Sequence, residues 1–400
     1  MSFVTFDDII NKKKKEWNCS DLMNTANITH GEKLPFSSPL MNWCTYGGIP
    51  RDKITEFFGE FSGGKTTTAV DICKNAIEIF KQEYMEHIEL LSSRITSGDK
   101  SARSELEDFE CVGPKKVTYI DLEHTFDLDW SEKLGIAHTD IKLMQPPDVP
   151  AEDILQTIED LICTGEIGLL VLDSIPSLVT GKELEKKYGE RTVAPLAGLL
   201  TIFFRKIVPK LSRYHCTLLT INQIRDNLDN PYVANTPGGK AAKFYAGLRV
   251  QFRIGAPVDF LGNELPTKTE NPAGYIINAK IVKQKTAPYD RKQGSYFLMC
   301  QSGIRPDFDY ASLAIKRYGV IHKAGAWFTI CDPYTGEVLE TADGKPIKLN
   351  GLSKVYDYLA TNIEYYERLK KFITDDINGI TTDAGMEDEN GSESNQTLQL

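Results

Sequence analysis

Apolar residues in this chain come in short unbroken runs with helical periodicities between them. KVTYIDLE (116–123), GLLVLDS (168–174) and CTLLTINQ (216–223) each end in acids, a hydroxyl or amides. Such runs predict strands buried on both faces, and the helical stretches between them predict a parallel sheet covered on both sides. ITEFF (54–58) is a fourth β-prone run. A glycine loop follows it, and then Ala69, Ile72, Cys73, Ala76, Ile77 and Phe80 recur at helical spacing. After Gly238 the pattern changes to alternating strands, LRVQFRIG, YIINAKIVKQ and SYFLMCQ, with turn residues between them. Residues 1–17 predict a short amphipathic helix carrying Phe3, Phe6, Ile9 and Ile10 and ending in Lys12–Lys15. A last helix is expected from Ser353 to Phe372, with Val355, Leu359, Ile363 and Leu369 on one side. Residues 92–115 are polar and read as an inserted excursion.

Composition narrows the class. Four hundred residues, 41% of them hydrophobic, can bury a sizeable core, and no apolar run is long enough to span a bilayer. The N-terminus lacks the basic, apolar, small-residue order of a secretory signal. The eight cysteines stand singly, without a CxxC pair, which argues against disulfides and structural zinc. A cytoplasmic protein with no membrane partner is the expectation. The net charge of −10 is a poor guide to partners, because seven of the acids lie from Thr374 onward with no base among them. That tail has few large apolar residues and reads as disordered.

The loop after ITEFF carries the first chemistry. Gly59, Glu60, Phe61, Ser62, Gly63, Gly64, Lys65 and Thr66, with Thr67 behind them, satisfy GxxxxGK[ST] between a strand and a helix. Backbone N–H groups there can converge on phosphate oxygens at a helix N-terminus. Lys65 would reach the β- and γ-phosphates of ATP, and the Thr66 hydroxyl would bind Mg²⁺. Asp173 closes an unbroken apolar run, so its carboxylate emerges at a strand end as the second metal-orienting group. Hydrolysis also needs a group to orient water. Glu123 and Asp121 both qualify, and their spacing of two puts them on one face of a strand, so periodicity does not choose between them.

YIDLEHTFDLDWSEKLGI, LLVLDSIPSLV, LLTINQIR, GGKAAKFYAGLRV and KAGAWF follow one another in an order and spacing that resembles the RecA recombinases. With the phosphate loop the resemblance covers roughly residues 35–330. It implies an α/β fold: a RecA-like P-loop ATPase core with a mostly parallel central sheet, a short N-terminal polymerisation segment and a small C-terminal domain. The expected boundaries are 1–34, 35–300, 301–373 and an acidic tail from 374. The resemblance selects Glu123 as the catalytic glutamate. It implies that Asp127 contacts adenine and that Trp130 stacks on it, in place of a tyrosine. Gln223 matches a glutamine that senses the γ-phosphate and passes its state to DNA. Two DNA-contacting loops are implied, near 183–192 and 225–238, with Arg205, Arg225, Gly238 and Gly239 on the DNA backbone and Leu228 as an apolar wedge. Lys283 and Lys285 match paired lysines that reach across a subunit interface to the neighbour's ATP, and Phe244 matches an interface phenylalanine.

The implied activity is DNA-dependent ATP hydrolysis, with Mg²⁺, in a filament of self-associated subunits. That filament would hold single-stranded DNA and exchange it with double-stranded DNA. Single-strand-binding and mediator proteins are further implied partners. Three departures stand out. The polar stretch 92–115 has no counterpart in the compact family pattern. An arginine expected after the first loop is replaced by Gly198 or Leu199, and the N-terminal segment is short. The alternative is a RecA-fold hexameric DNA helicase or motor, in which GGKAAKFYA and KAGAWF would not be expected. A non-enzymatic ATP-binding regulator of the same fold would not need Glu123.

Overall fold

The computed structural model describes residues 6–16, 32–187, 195–224 and 236–379. The chain divides into two compact units, one of residues 1–259 and 264–305, the other of 260–263 and 306–400. This division falls five residues beyond the 300/301 boundary expected from sequence.

In the first unit, α1 (Phe6–Glu16) precedes β1 (Lys33–Leu34), α2 (Pro39–Thr45) and β2 (Ile49–Pro50). The nucleotide-binding pattern then unfolds as β3 (Ile54–Gly59), α3 (Lys65–Thr96), α4 (Ser101–Val112), β4 (Lys116–Asp121), α5 (Leu128–Lys133) and β5 (Ile141–Met144). It continues with α6 (Ala151–Cys163), β6 (Ile167–Asp173), α7 (Gly181–Leu184), α8 (Pro195–Tyr214), β7 (Thr217–Gln223) and α9 (Ala241–Tyr245). Four strands complete the unit: β8 (Leu248–Val258), β9 (Gly274–Gln284), β10 (Gln293–Met299) and β11 (Gly303–Ile304).

Nine strands form one sheet in the order β11-β10-β9-β8-β3-β7-β6-β4-β5. The six from β8 to β5 pair in parallel, and β9, β10 and β11 extend that sheet antiparallel. The apolar runs explain why both faces are covered. Within β6, Leu169 and Val171 join one buried cluster with Ala69, Ile72, Cys73 and Ala76 of α3. Leu170 and Leu172 join the other, with Ile158 of α6 and Phe204 and Ile207 of α8. Every second residue of a strand faces the opposite layer, so a strand between two helical layers is apolar throughout.

The polar stretch at 92–115, read as an inserted excursion, is largely helical. α3 continues to Thr96, and α4 turns back along it. Phe109 lies against Tyr84 (centroids 5.0 Å) and His87 (4.4 Å), while Leu91 and Ala102 are buried. Arg94 joins the two helices at the turn, with Asp99 and Glu105 each 2.7 Å away. One aromatic cluster and a pair of buried apolar side chains pin a two-helix hairpin whose outer faces are polar, which is why its composition is polar.

The second unit holds α10 (Pro306–Lys316), a three-stranded antiparallel sheet of β12 (Ile321–Ala324), β13 (Trp327–Ile330) and β14 (Lys348–Asn350), then α11 (Leu352–Thr361) and α12 (Ile363–Ile377). Aromatic packing builds its core: Phe308 stacks on Tyr356 at 4.1 Å, and Phe372 meets Tyr318 and Tyr334 edge to face. The single helix expected over 353–372 is two. Asn362 departs from helical dihedrals (φ −106°, ψ 71°), and its backbone amide and its Nδ2 both donate to the Tyr358 carbonyl at 2.9 Å, closing the last turn. The second helix runs to Ile377, so residues 374–377, assigned to a disordered tail from composition, are helical. The end of that tail, from residue 380, lies outside the described residues, as does Phe3.

Candidate active site

The phosphate loop joins the end of β3 to α3, whose first residue is Lys65. Gly59 is required by packing. A Cβ there would lie 2.1 Å from the Phe252 carbonyl oxygen of the adjacent strand β8. Lys65 is buried and its Nζ donates to the Glu60 carbonyl at 2.5 Å, curling the loop about the ammonium. Burial lowers the Lys65 pKa, while the carboxylates of Asp173, Glu123 and Glu60 oppose that shift. Thr66, exposed, donates its hydroxyl to Asp173 Oδ2 at 3.1 Å. The same oxygen accepts the Tyr119 hydroxyl at 2.7 Å. Burial raises the Asp173 carboxyl to about 6, against the stabilising bonds from Tyr119 and Thr66. A hydroxyl and a carboxylate side by side below a helix N-terminus are hard oxygen donors of the kind Mg²⁺ takes, so the residues present fit a magnesium–nucleotide complex.

Glu123 and Asp121, inseparable by periodicity, occupy different environments. β4 ends at Asp121, so Glu123 lies beyond the strand and alternation does not apply to it. Asp121 is buried and both its oxygens are engaged. Oδ1 accepts the Glu123 amide at 3.1 Å, and Oδ2 accepts the Phe126 amide at 2.8 Å and Gln145 Nε2 at 2.9 Å. Glu123 is exposed, and its Oε1 accepts Ser174 Oγ at 2.5 Å and Gln223 Nε2 at 3.2 Å. The ends of β4, β6 and β7 thus meet beside the end of β3, where the Ile224 amide donates to the Gly59 carbonyl at 3.2 Å.

The other expected residues fall into three groups. Asp127 caps α5 by accepting the Trp130 amide at 2.9 Å, and Trp130 is half-buried behind it. Lys283, Lys285 and Phe244 meet where β9 passes α9. Lys283 Nζ donates to the Lys243 and Phe244 carbonyls at 2.5 and 2.8 Å, and Lys285 reaches Phe244 at 3.4 Å. Burial, with Lys285 and Arg249 adding repulsion, lowers the Lys283 ammonium to about 8. Phe244 is 67% exposed. Arg205 is exposed on α8, and Gly238 and Gly239 form a left-handed turn at φ +83° and +75°. Arg225 and Leu228 lie outside the described residues, as does most of the second expected DNA loop. Residues 181–184, at the start of the first loop, form the short helix α7, closed by a capping box between Thr180 and Glu183.

Tyr119 and Ser174 were missed by sequence reasoning, as were Glu56, Asn222 and Arg249, which form a buried polar group beneath the loop. Arg249 Nε donates to Glu56 Oε2 at 2.5 Å, and Asn222 Nδ2 to Glu56 Oε1 at 2.9 Å. The available signal was a charge inside an otherwise apolar strand, in ITEFFG and again in LRVQF.

A model of the RecA N-terminal domain matches residues 111–305. Protein RecA of Thermus thermophilus is 31% identical over 299 residues, which are 74% of this chain and 74% of the relative. The chain belongs to the RecA family. Protein RecA of Thermus aquaticus is 28% identical over 345 residues, covering 86% of this chain and 84% of the relative. That of Clostridium perfringens (strain 13) is 29% identical over 300 residues, covering 74% and 72%. At these identities the chain is a divergent member. RecA-family proteins are ATPases of DNA recombination and repair that use ATP with Mg²⁺, and this chain shares that general kind. Among the described residues no helix is long and apolar enough to cross a membrane.

Proposed function

We propose that this RecA-family chain polymerises on single-stranded DNA and promotes homologous pairing and strand exchange, hydrolysing ATP at subunit boundaries. The observation that carries the reading is the shared bond at Glu123. One carboxylate oxygen receives both Ser174, next to the metal-orienting Asp173, and Gln223, which leads into the 225–238 segment. A water-orienting acid joined to that segment is what an ATPase answering to DNA needs. In this reading the N–H groups of the loop and Lys65 hold the phosphates of ATP. Thr66 and Asp173 hold Mg²⁺, which neutralises charge on the phosphate oxygens when bound. Glu123 orients the attacking water. Lys283 and Lys285 serve the neighbouring subunit's phosphates, as point charges stabilising the transferring group.

Asp127 and Trp130 border the adenine, and Arg205, Arg225, Leu228, Gly238 and Gly239 carry DNA contacts. Those contacts are mostly to the backbone, so binding is expected to be nearly sequence-independent and to weaken with salt. The test is electron microscopy of the protein with single-stranded DNA and a non-hydrolysable ATP analogue, beside turnover with and without DNA. Extended helical filaments and DNA-stimulated turnover support the proposal. Closed rings overturn it in favour of the motor.

A further inference from the structure

We infer that Asn222, with Glu56 and Arg249, is a positioning joint that transmits the placement of the Pro237–Gly238 turn to the water-orienting Glu123. The inference rests on the proposed role of Glu123 and extends it to residues outside the phosphate loop and the expected DNA contacts.

All three side chains are withdrawn from water, Glu56 and Asn222 at 0% and Arg249 at 6% exposure. They join three adjacent strands: Glu56 on β3, Asn222 on β7 and Arg249 on β8. Each oxygen of Glu56 has one of the other two as donor. The Arg249 guanidinium also lies over the Phe58 ring at 4.4 Å. An ion pair in such a place is weak support for stability, because desolvation offsets most of its attraction. Its geometry is nonetheless unforgiving, since a lost partner leaves a buried charge uncompensated.

Asn222 is the member with further connections. Its Nδ2 also donates to the Pro237 carbonyl at 3.2 Å, at the end of the 225–238 segment. Its Oδ1 accepts the Gln223 amide at 2.9 Å. The amide group therefore commits its donors to β3 and to the Pro237 turn, and its acceptor to the main chain of Gln223. Gln223 in turn donates to Glu123. A second arm runs through Gly238, where a Cβ would fall 3.2 Å from Ile175 and 2.5 Å from Leu200. Ile175 directly follows Ser174, the other donor to Glu123. Both donors to Glu123 are thus held by elements that touch the Pro237–Gly238 turn. Displacing that turn pulls on Asn222, and through it on the main chain of Gln223, a contiguous physical link between turn and acid.

The test compares wild type, Asn222→Ala, Asn222→Ser and Glu56→Gln as full-length chains. The readouts are turnover with and without a homopolymeric single-stranded DNA, affinity for a fluorescent ATP analogue, and near-ultraviolet circular dichroism. Glu56→Gln removes the counter-charge of the buried Arg249 and is expected to melt earlier, so Asn222→Ser, which keeps a short hydrogen-bonding side chain and every charge, carries the test if either of the other two does not fold. The expected result is a loss of DNA stimulation by about tenfold or more, the scale of one hydrogen bond to a buried charge. Nucleotide affinity stays within about twofold, since none of the three residues belongs to the phosphate loop. Unchanged stimulation in the folded variants overturns the inference. So does a parallel fall of DNA-free turnover, stimulated turnover and nucleotide affinity, which is the mark of a merely structural group. A wild type that DNA does not stimulate removes the proposed function itself, an outcome visible before any variant is measured.

Discussion

Changing Glu123 to Gln separates chemistry from architecture, because the two acids that sequence periodicity could not tell apart stand in different surroundings. Glu123 Oε1 accepts from Ser174 and Gln223. A glutamine keeps an oxygen able to accept both bonds and adds no bulk, so the fold and the phosphate loop are expected to be unaffected. What disappears is the negative charge proposed to orient and deprotonate water. A positioned general base contributes about 10²–10⁴ in rate. This corresponds to about 3–5 kcal/mol of activation free energy. Asp121→Asn is the matched control. Its carboxylate accepts from the Glu123 and Phe126 amides and from Gln145, and an asparagine must turn a donor toward one of them. Losing a hydrogen bond to a buried charge costs about 1.5–3 kcal/mol, so this variant is expected to melt earlier. Turnover under saturating ATP and DNA, affinity for a fluorescent ATP analogue, and thermal unfolding form the assay. Glu123→Gln should lose turnover at unchanged affinity and unfolding temperature. Turnover in Glu123→Gln within about threefold of wild type, well inside the base's contribution, would refute the assignment. A chemically dead but fully stable Asp121→Asn would reverse the roles.

Lys65→Ala should abolish hydrolysis and weaken nucleotide binding, measured by the same fluorescent analogue, because it removes the buried cation within the loop. Lys283 gives a pH test. Its ammonium is lowered to about 8, so its charge is present below that pH and lost as pH rises through it. DNA-stimulated turnover should decline between about pH 7 and 9, and Lys283→Arg, which stays protonated, should hold its rate further into alkali; superimposable profiles exclude Lys283 as the titrating cation. Phe109→Ala removes the ring that α4 packs against Tyr84 and His87. The hairpin should lose about 1–2 kcal/mol, read as faster amide exchange confined to the α3–α4 hairpin, with ATP turnover unchanged.

Much of the first unit was legible because its constraints are local. A strand between two helical layers must be apolar throughout, and a phosphate loop must be rich in glycine, so β3, β4, β6 and β7 announce themselves. The α3–α4 hairpin was not legible, since its stability comes from Phe109 meeting Tyr84 and His87 across a turn, contacts that composition does not encode. The break at Asn362 was hidden for a related reason: apolar spacing continues across it, and the side-chain bond to Tyr358 that ends the helix leaves no periodic trace. Glu123 lay past its strand end, where alternation has no meaning. The buried group of Glu56, Asn222 and Arg249 lay in plain view as polar and charged residues within apolar strands. Its pairing depends on strand order, and β3 lies between β7 and β8 although both are distant from it in sequence.

That strand order also bears on why ATP use would need two subunits. Lys65, Thr66, Asp173 and Glu123 gather at the ends of β3, β6 and the segment after β4. Lys283 and Lys285 sit on and just after β9, beyond β8, and their bonds go to the carbonyls of Lys243 and Phe244. Among the described residues neither lysine hydrogen-bonds to the phosphate loop of its own chain. Lys283 feels the repulsion of Lys285 and Arg249, opposed by the carboxylate of Glu56, and burial has already weakened its hold on the proton. Lys243, beside them, is lowered by burial and by Arg249 in the same way. Cations crowded against one another at a partly dry edge are stabilised by an anion arriving from outside, and a phosphate of a neighbouring subunit's nucleotide is such an anion. On the proposed role of these lysines, the charge that crowds the edge of one chain would favour an assembly, and subunit association and nucleotide occupancy would reinforce one another.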